Sequence, residues 1–434
     1  MSPEERTIRV DLLARVEGEG RFVLRVEDGR VVDAELSIFE APRYFEALLR
    51  GRSLHEVPDI VARICGICPV AYQMSAVRAL EDALGIVPSP EIRALRRLLY
   101  CGEWIESHAL HVFLLHAPDF LGFESAIEMA ERHRELVERG LAIKKAGNAL
   151  IEVLGGRAIH PVSVRVGGFT KAPARRELRS LLPSFASALD DCEATLRWCD
   201  GLEYPEFEQD YVFAALESEG YPMEWGDGVR LSGGGVVPVE DFEQTFREEQ
   251  VERSNALQCR LPDGRPYLCG PLARLNLAHD RLHPRARAAL AGSGLTLPLR
   301  NPYRSIQARV LELVHAFAEA IDLIEGYARP EPPYVDAEPL DAVGSGATEA
   351  PRGLLFHRYA IGADGLVREA NIVPPTSQNQ ARIEADLLSI GPLLLELEHE
   401  PATRRCEQLI RSYDPCISCA THFLRFEIAE VGRP

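Results

Sequence analysis

The chain has 434 residues, is 46% hydrophobic and 26% charged, and so is an ordinary globular composition that excludes a disordered, collagen-like or small disulfide-stapled protein. Its 66 acidic residues outnumber 48 basic ones, and the formal charge of −18 argues against a nucleic-acid surface or an anionic membrane surface as partner. No run approaches the ~18 apolar residues of a spanning helix, and the first ten residues carry no basic and then apolar pair of regions, so a cytoplasmic setting is expected.

In chain order, residues 6–39 alternate apolar and polar groups: Ile8, Val10 and Leu12, then Phe22, Leu24 and Val26, then Val32, Ala34, Leu36 and Ile38. This period of two predicts strands. Asp28-Gly29 is a hairpin signal between the last two, so a small antiparallel sheet is expected. The pattern then turns helical. Met74, Val77, Leu80 and Leu84 predict a helix over 73–85 closed by Gly85. Further helices are expected over 91–117, 124–155 and 176–200, the last with Cys192 and Cys199 in its apolar stripe. Residues 201–300 are turn-rich with short strand-like runs, and an irregular insertion is expected there. A helix over 303–327 follows. Four prolines with Gly344 and Gly346 mark 330–350 as a loop. Strand-like runs at 353–361 and 366–373 precede a last helix over 379–412. The expected class is α+β, predominantly α: a long-helix bundle core over 73–200 and 303–412, with small antiparallel sheets at the N-terminal end and near the C-terminal third. One body is expected over 1–422, followed by a tail over 423–434.

Ten cysteines in a reducing compartment do not suggest a disulfide framework. Four of them form two C-x-x-C pairs at opposite ends, Cys65 with Cys68 and Cys416 with Cys419. Gly66, Pro69 and Pro415 restrict the backbone around them, so each pair can turn both sulfurs towards one ion. Four thiolates suit a soft or borderline metal. Spacing alone leaves a structural zinc site and a catalytic thiolate metal both open, and a redox dithiol would need only one pair. Cys101, Cys192, Cys199, Cys259, Cys269 and Cys406 lack ligand spacing and read as core thiols. His108, His111 and His116 could form a metal face on a helix, but read more simply as core or interface residues.

The strings around the paired cysteines are more specific. Arg63-Ile64-Cys65-Gly66-Ile67-Cys68-Pro69 and Asp414-Pro415-Cys416, continuing through Cys419 to His422, resemble the two signatures of the large, catalytic subunit of NiFe hydrogenases. Other strings resemble that family's motifs in the right order: Arg15 to Gly20, Pro42 to Glu46 with Gly51-Arg52, Glu106 to His111, Gly156 to Pro161 with Gly167-Gly168-Phe169, Glu349 to Gly353, and Pro375-Thr376 with Asn379. Their details are most similar to the soluble, NAD(P)-linked, sulfhydrogenase-type subgroup.

The resemblance implies reversible interconversion of H2 with protons and electrons. It implies that Cys65 and Cys416 are terminal nickel ligands, and that Cys68 and Cys419 bridge nickel to an iron carrying CO and two cyanides. Glu17 would relay the proton, since a carboxyl beside a thiolate suits that task. Arg352 would lie over the open coordination site and donate to one cyanide, oriented by Asp414. Thr376 would hold the other cyanide, with Ala350, Pro351 and Pro375 shaping an apolar pocket. Glu46, His422 and a backbone oxygen near Ile372 would hold a second divalent ion, usually magnesium. Two positions depart from the family. Tyr72 stands where a histidine is common, and Ser107 stands where another branch has an aspartate.

The chain has no flavin or dinucleotide fingerprint and no further cysteine set at cluster spacing. The resemblance therefore implies a separate small iron–sulfur subunit, with flavin, NAD(P) and further iron–sulfur subunits beyond it. It also implies maturation factors and an endopeptidase that removes 423–434. The competing reading of that tail is a retained strand, because Phe423 to Ile428 alternates. The reading from another class is a non-catalytic, zinc-stapled scaffold or assembly protein with a four-cysteine structural site.

Overall fold

Alternation over the first residues builds three antiparallel strands, β1 (Arg6–Val10), β2 (Gly20–Glu27) and β3 (Arg30–Ile38), in that order. Register places Ile8 against Leu24 and Leu24 against Ala34, so one face is buried. The computed structural model describes residues 6–27, 30–40, 43–394 and 397–421; the Asp28-Gly29 turn, His422 and the tail over 423–434 lie outside them.

Helix α1 (Pro69–Leu84) starts four residues before the expected 73. A proline in the first turn lacks an N–H that would be unpaired there anyway, and the buried Glu103 carboxylate accepts the N–H groups of Val70 and Ala71 at 2.5 and 3.0 Å. Helix α2 (Pro90–Ala109) opens at Ser89, whose hydroxyl accepts the Ile92 N–H. The single helix expected over 91–117 does not continue as such. It widens into a π-helical segment, Leu110–His116, before a short helix at Ala117–Leu121. Pro118 has no N–H for the carbonyl one turn earlier, so regular α bonding cannot run through. Helices α3 (Arg134–Gly155) and α4 (Leu182–Asp200) follow.

Residues 201–300 are less irregular than the sequence suggests. Strands β4 (Phe213–Glu217), β5 (Gly228–Leu231), β6 (Val236–Pro238) and β7 (Leu268–Cys269) make a sheet of order β7-β4-β5-β6, with β7 parallel to β4. Runs this short carry too few alternations to register as strands. Helix α5 (Pro271–Ala278) leaves this sheet towards helix α6 (Ser305–Glu325), the central and almost wholly buried helix.

The loop expected over 330–350 is corrected at its second half, which is strand β8 (Ala342–Ala350). Gly344 and Gly346 are there for packing rather than for turning. A Cβ on Gly344 would lie 2.3 Å from the Ala79 carbonyl oxygen and the Ala83 nitrogen, and one on Gly346 would lie 2.5 Å from the Ala79 nitrogen. The strand thus presses its backbone onto α1. Gly344→Ala should cost about 1–3 kcal/mol, read as a lower urea midpoint at unchanged slope. An unchanged midpoint would mean that β8 can shift off the helix at no cost.

Strands β9 (Gly353–Ile361) and β10 (Val367–Val373) complete an antiparallel sheet with β8. The last helix, expected over 379–412, is divided into α7 (Pro375–Ser389), a short turn at Gly391–Leu394, and α8 (His399–Ser412). Among the described residues no helix is long and apolar enough to cross a membrane.

Candidate metal centre

The first cysteine pair sits on the turn between the Ala62–Ile64 3-10 helix and α1. The Ile67 and Cys68 N–H groups point at the Cys65 sulfur, at 3.3 and 3.1 Å. The second pair follows α8, where Asp414 adopts a left-handed conformation (φ 54°) and turns the chain inward. Cys416 pairs with Glu17 as an isolated parallel bridge, and the Ile417 N–H donates to the Glu17 carbonyl at 2.8 Å. Arg43 then fastens the two loops together, donating to the carbonyls of Ile64 and Ser418. The four sulfurs end up buried and within 4.8 Å of one another, with Cys65 and Cys416 3.7 Å apart and Cys68 and Cys419 3.9 Å apart. Among the described residues they are the only group of three or more side chains placed to hold a metal ion.

Burial pushes the thiols of Cys68, Cys416 and Cys419 up. Burial opposes ionisation of Cys65 too, but hydrogen bonds from Cys416, Cys419 and Cys68 outweigh it and hold Cys65 well below the ordinary thiol range. Glu17 Oε2 lies 3.2 Å from the Cys416 sulfur and accepts the Ser418 N–H at 3.0 Å. The buried Arg352 donates from Nε to the Asp414 carbonyl at 2.8 Å and pairs Nη2 with Asp414 Oδ1 at 3.2 Å. Burial weakens its charge, but Asp414 and the thiolates outweigh this and keep it firmly protonated. Arg352 Nη1 has no partner among the described residues.

Thr376 Oγ1 accepts the Cys416 N–H at 3.0 Å, so it holds a ligand loop. Pro375 opens α7, and Pro351 precedes Arg352 on the β8–β9 turn. Tyr72, one turn after Cys68 on α1, is buried with its hydroxyl unpartnered among the described residues. Burial and then the charges of the four cysteines push its phenol well up. Glu46 lies outside the sulfur cluster and accepts the Ile372 N–H at 2.7 Å. The three helix histidines do not form a ligand face. His108 lies 2.9 Å from Glu312, with burial lowering it to about 4, and His111 meets the Arg411 carbonyl at 2.7 Å.

Several buried groups near this centre had no signature in the sequence. Glu103 caps α1, and Arg274 sits between Glu312 and Glu349. Each pairs with a residue far along the chain, and only the packing of α2, α5 and α6 brings them together.

A model of the nickel-dependent hydrogenase family matches residues 43–140 and 304–422, the two stretches that carry the four cysteines. The chain is 35% identical to the sulfhydrogenase 1 subunit alpha of Pyrococcus furiosus over 96% of its own length and 98% of that protein. It belongs to the nickel-dependent hydrogenase family. It is a hydrogenase large subunit, the catalytic chain. It is also 35% identical to the sulfhydrogenase 2 subunit alpha of Pyrococcus furiosus over 96% of this chain and 99% of that one. The NAD-reducing hydrogenase HoxS subunit beta of Cupriavidus necator is 27% identical over 96% of this chain and 94% of its own length. Among solved structures, an NAD+-reducing [NiFe]-hydrogenase in the H2-reduced state superposes with a TM-score of 0.85 at 29% identity, covering 96% of this hydrogenase and 99% of that chain.

Proposed function

We propose that this subunit interconverts H2 with protons and electrons at a nickel–iron centre on Cys65, Cys68, Cys416 and Cys419. The electrons then pass through a small iron–sulfur subunit towards NAD(P). The observation that carries the reading is the convergence of four buried sulfurs from opposite ends of the chain, with a carboxylate 3.2 Å from one of them. The donor set fits the metals: four desolvated sulfurs are soft ligands. The unpartnered, buried Arg352 Nη1 and Tyr72 hydroxyl are donors that small acceptors such as cyanide would satisfy.

Bound there, nickel with an iron carrying CO and two cyanides would supply the heterolytic splitting of H2. The chain's own residues manage the proton. The Cys416 sulfur takes it and passes it to Glu17 Oε2, and Glu17, only partly buried, carries it outward. Asp414 holds Arg352, and Thr376 holds the Cys416 backbone, so both stay in place while the proton moves. Pro351 and Pro375 line the apolar side. Glu46, with the Ile372 backbone and His422, would hold a second divalent ion such as magnesium. The segment 423–434 is the part an endopeptidase would remove, after maturation factors have loaded the metals.

Electrons leave past the turn of the first cysteine pair. The Gly66–Ile67 turn is solvent-facing, and His160, paired with the Ala62 carbonyl at 2.7 Å, sets the exposed Ile159 and Val162 beside it. Apolar side chains around an electron exit suit a permanent subunit interface. The relatives are named as subunits, one of an NAD-reducing hydrogenase, which supports further subunits and NAD as acceptor.

Infrared spectra of the purified complex, with nickel and iron analysis, test this reading. Bands of one CO and two cyanides are expected, with about one nickel per catalytic subunit and iron in excess of nickel, because the iron–sulfur subunits add their own. Zinc alone, without those bands, would favour the scaffold reading instead.

A further inference from the structure

Helix α5 begins against the backbone of Arg352. Gly270, at φ 115°, precedes it, and a Cβ there would lie 2.6 Å from the Arg352 carbonyl oxygen. One turn later the helix points Arg274 into the interior, where the residue is fully buried. All five of its N–H groups find acceptors. Nε and Nη2 meet the two carboxylate oxygens of Glu312 at 2.7 and 2.8 Å. Nη1 meets Glu349 Oε2 at 2.9 Å and the Ala350 carbonyl at 3.1 Å, and Nη2 also meets the Pro351 carbonyl at 3.0 Å. The guanidinium lies over the Trp104 ring at 4.3 Å, and the Trp104 N–H donates to the Glu349 carbonyl at 3.0 Å.

Those contacts fall on the three residues before Arg352. Strand β8 ends at Ala350 and pairs with Gly353, so Arg352 stands at the corner of a tight turn. Among the described residues its side chain is tied only to Asp414. The corner itself is held from behind, by two consecutive carbonyls on one rigid fork. The fork is fixed in turn by Glu312, which also accepts the Tyr221 hydroxyl at 2.8 Å. Buried ion pairs are a weak source of stability, because desolvation offsets their attraction. Geometry is what this one supplies. A lysine has the charge but not the planar fork.

We infer that Arg274, anchored by Glu312, is a positioning residue for the reaction: by clamping the Ala350 and Pro351 carbonyls it sets where Arg352 stands over the four sulfurs. The inference rests on the reading of Arg352 given under Proposed function.

Arg274→Lys tests it on the whole complex. The cyanide stretches are expected to shift and broaden at full nickel content, and kcat to fall about 10–100-fold with KM for H2 changing less. In the metal-free chain, backbone exchange over 349–354 should quicken about tenfold or more, because hydrogen bonds to a charged group are lost there. Native cyanide bands together with native exchange would overturn the clamp. Should Arg274→Lys fail to fold, Arg274→Gln combined with Glu312→Gln removes both charges at once and is judged by the same readouts. Arg352→Lys separates the two ideas. Unmoved cyanide bands in that variant reject the place of Arg352 above the centre. Moved bands there, with unmoved bands in the Arg274 variants, reject the clamp alone.

Discussion

Replacing Glu17 with glutamine is expected to lower H2 turnover by about 10²–10⁴-fold while the metals stay bound. The substitution keeps the shape of the side chain. An amide oxygen can still accept the Ser418 N–H that Glu17 Oε2 accepts at 3.0 Å, and the backbone bridge between residues 17 and 416 needs no side chain. What the amide cannot do is take a proton from the Cys416 sulfur 3.2 Å away. Turnover, metal content and infrared bands should therefore be measured on the same preparation. Lost turnover with native bands assigns the proton step to Glu17. Native turnover removes Glu17 from it.

The second large effect is one of stability. Asp119→Asn should destabilise the fold by about 3–5 kcal/mol, as breaking a buried ion pair does. Asp119 Oδ1 accepts Arg15 Nη2 at 2.6 Å and Arg411 Nη2 at 2.8 Å, and Oδ2 accepts Arg411 Nε at 2.8 Å. Arg411 also donates to the Ala14 carbonyl at 3.0 Å. One carboxylate thus ties the loop before Glu17 to the helix before Asp414. Burial alone would raise the Asp119 pKa, but Arg411 and Arg15 outweigh it and hold the group below its usual range. Its folded pKa is lower than its unfolded one, near 3.9. The contribution to stability is therefore complete above that value and is lost as the pH falls through the folded pKa. Urea unfolding should show the deficit at neutral pH, and the acid limb of Asp119→Asn should be flatter than that of the native chain. A loss under about 1 kcal/mol would place this pair with ordinary surface bridges.

The chemistry that can be read along the chain is the part built from short strings. Two C-x-x-C turns, the glutamate of the N-terminal motif and the arginine after Ala350-Pro351 each sit among near neighbours that mark them, and the fold brings these residues to one place. The long amphipathic helices were legible for the same reason, since their period repeats many times. Arg274, Glu312 and Glu103 have no such context. Their partners lie on other elements, and a buried charge looks like any charge until packing is known. Gly344 and Gly346 misled in the opposite direction: glycine signals a turn in a sequence, but here it makes room for a strand to touch a helix. The π-helical segment at Leu110–His116 carries no periodicity of its own, and only Pro118 hints at it.

The first ligands of the two pairs, Cys65 and Cys416, are 351 positions apart. A ribosome adding about 5–20 residues per second needs roughly 20–70 s to get from one to the other. During that time a growing chain offers only two of the four ligand thiols, with neither the Thr376 hydroxyl in reach of a second loop nor a partner strand for residue 17. The ligand set is therefore complete only once Cys419 has been added. A ribosome that stops short of Cys416 leaves a chain with half a ligand set, and only a chain that reaches Cys419 can be charged with all four sulfurs.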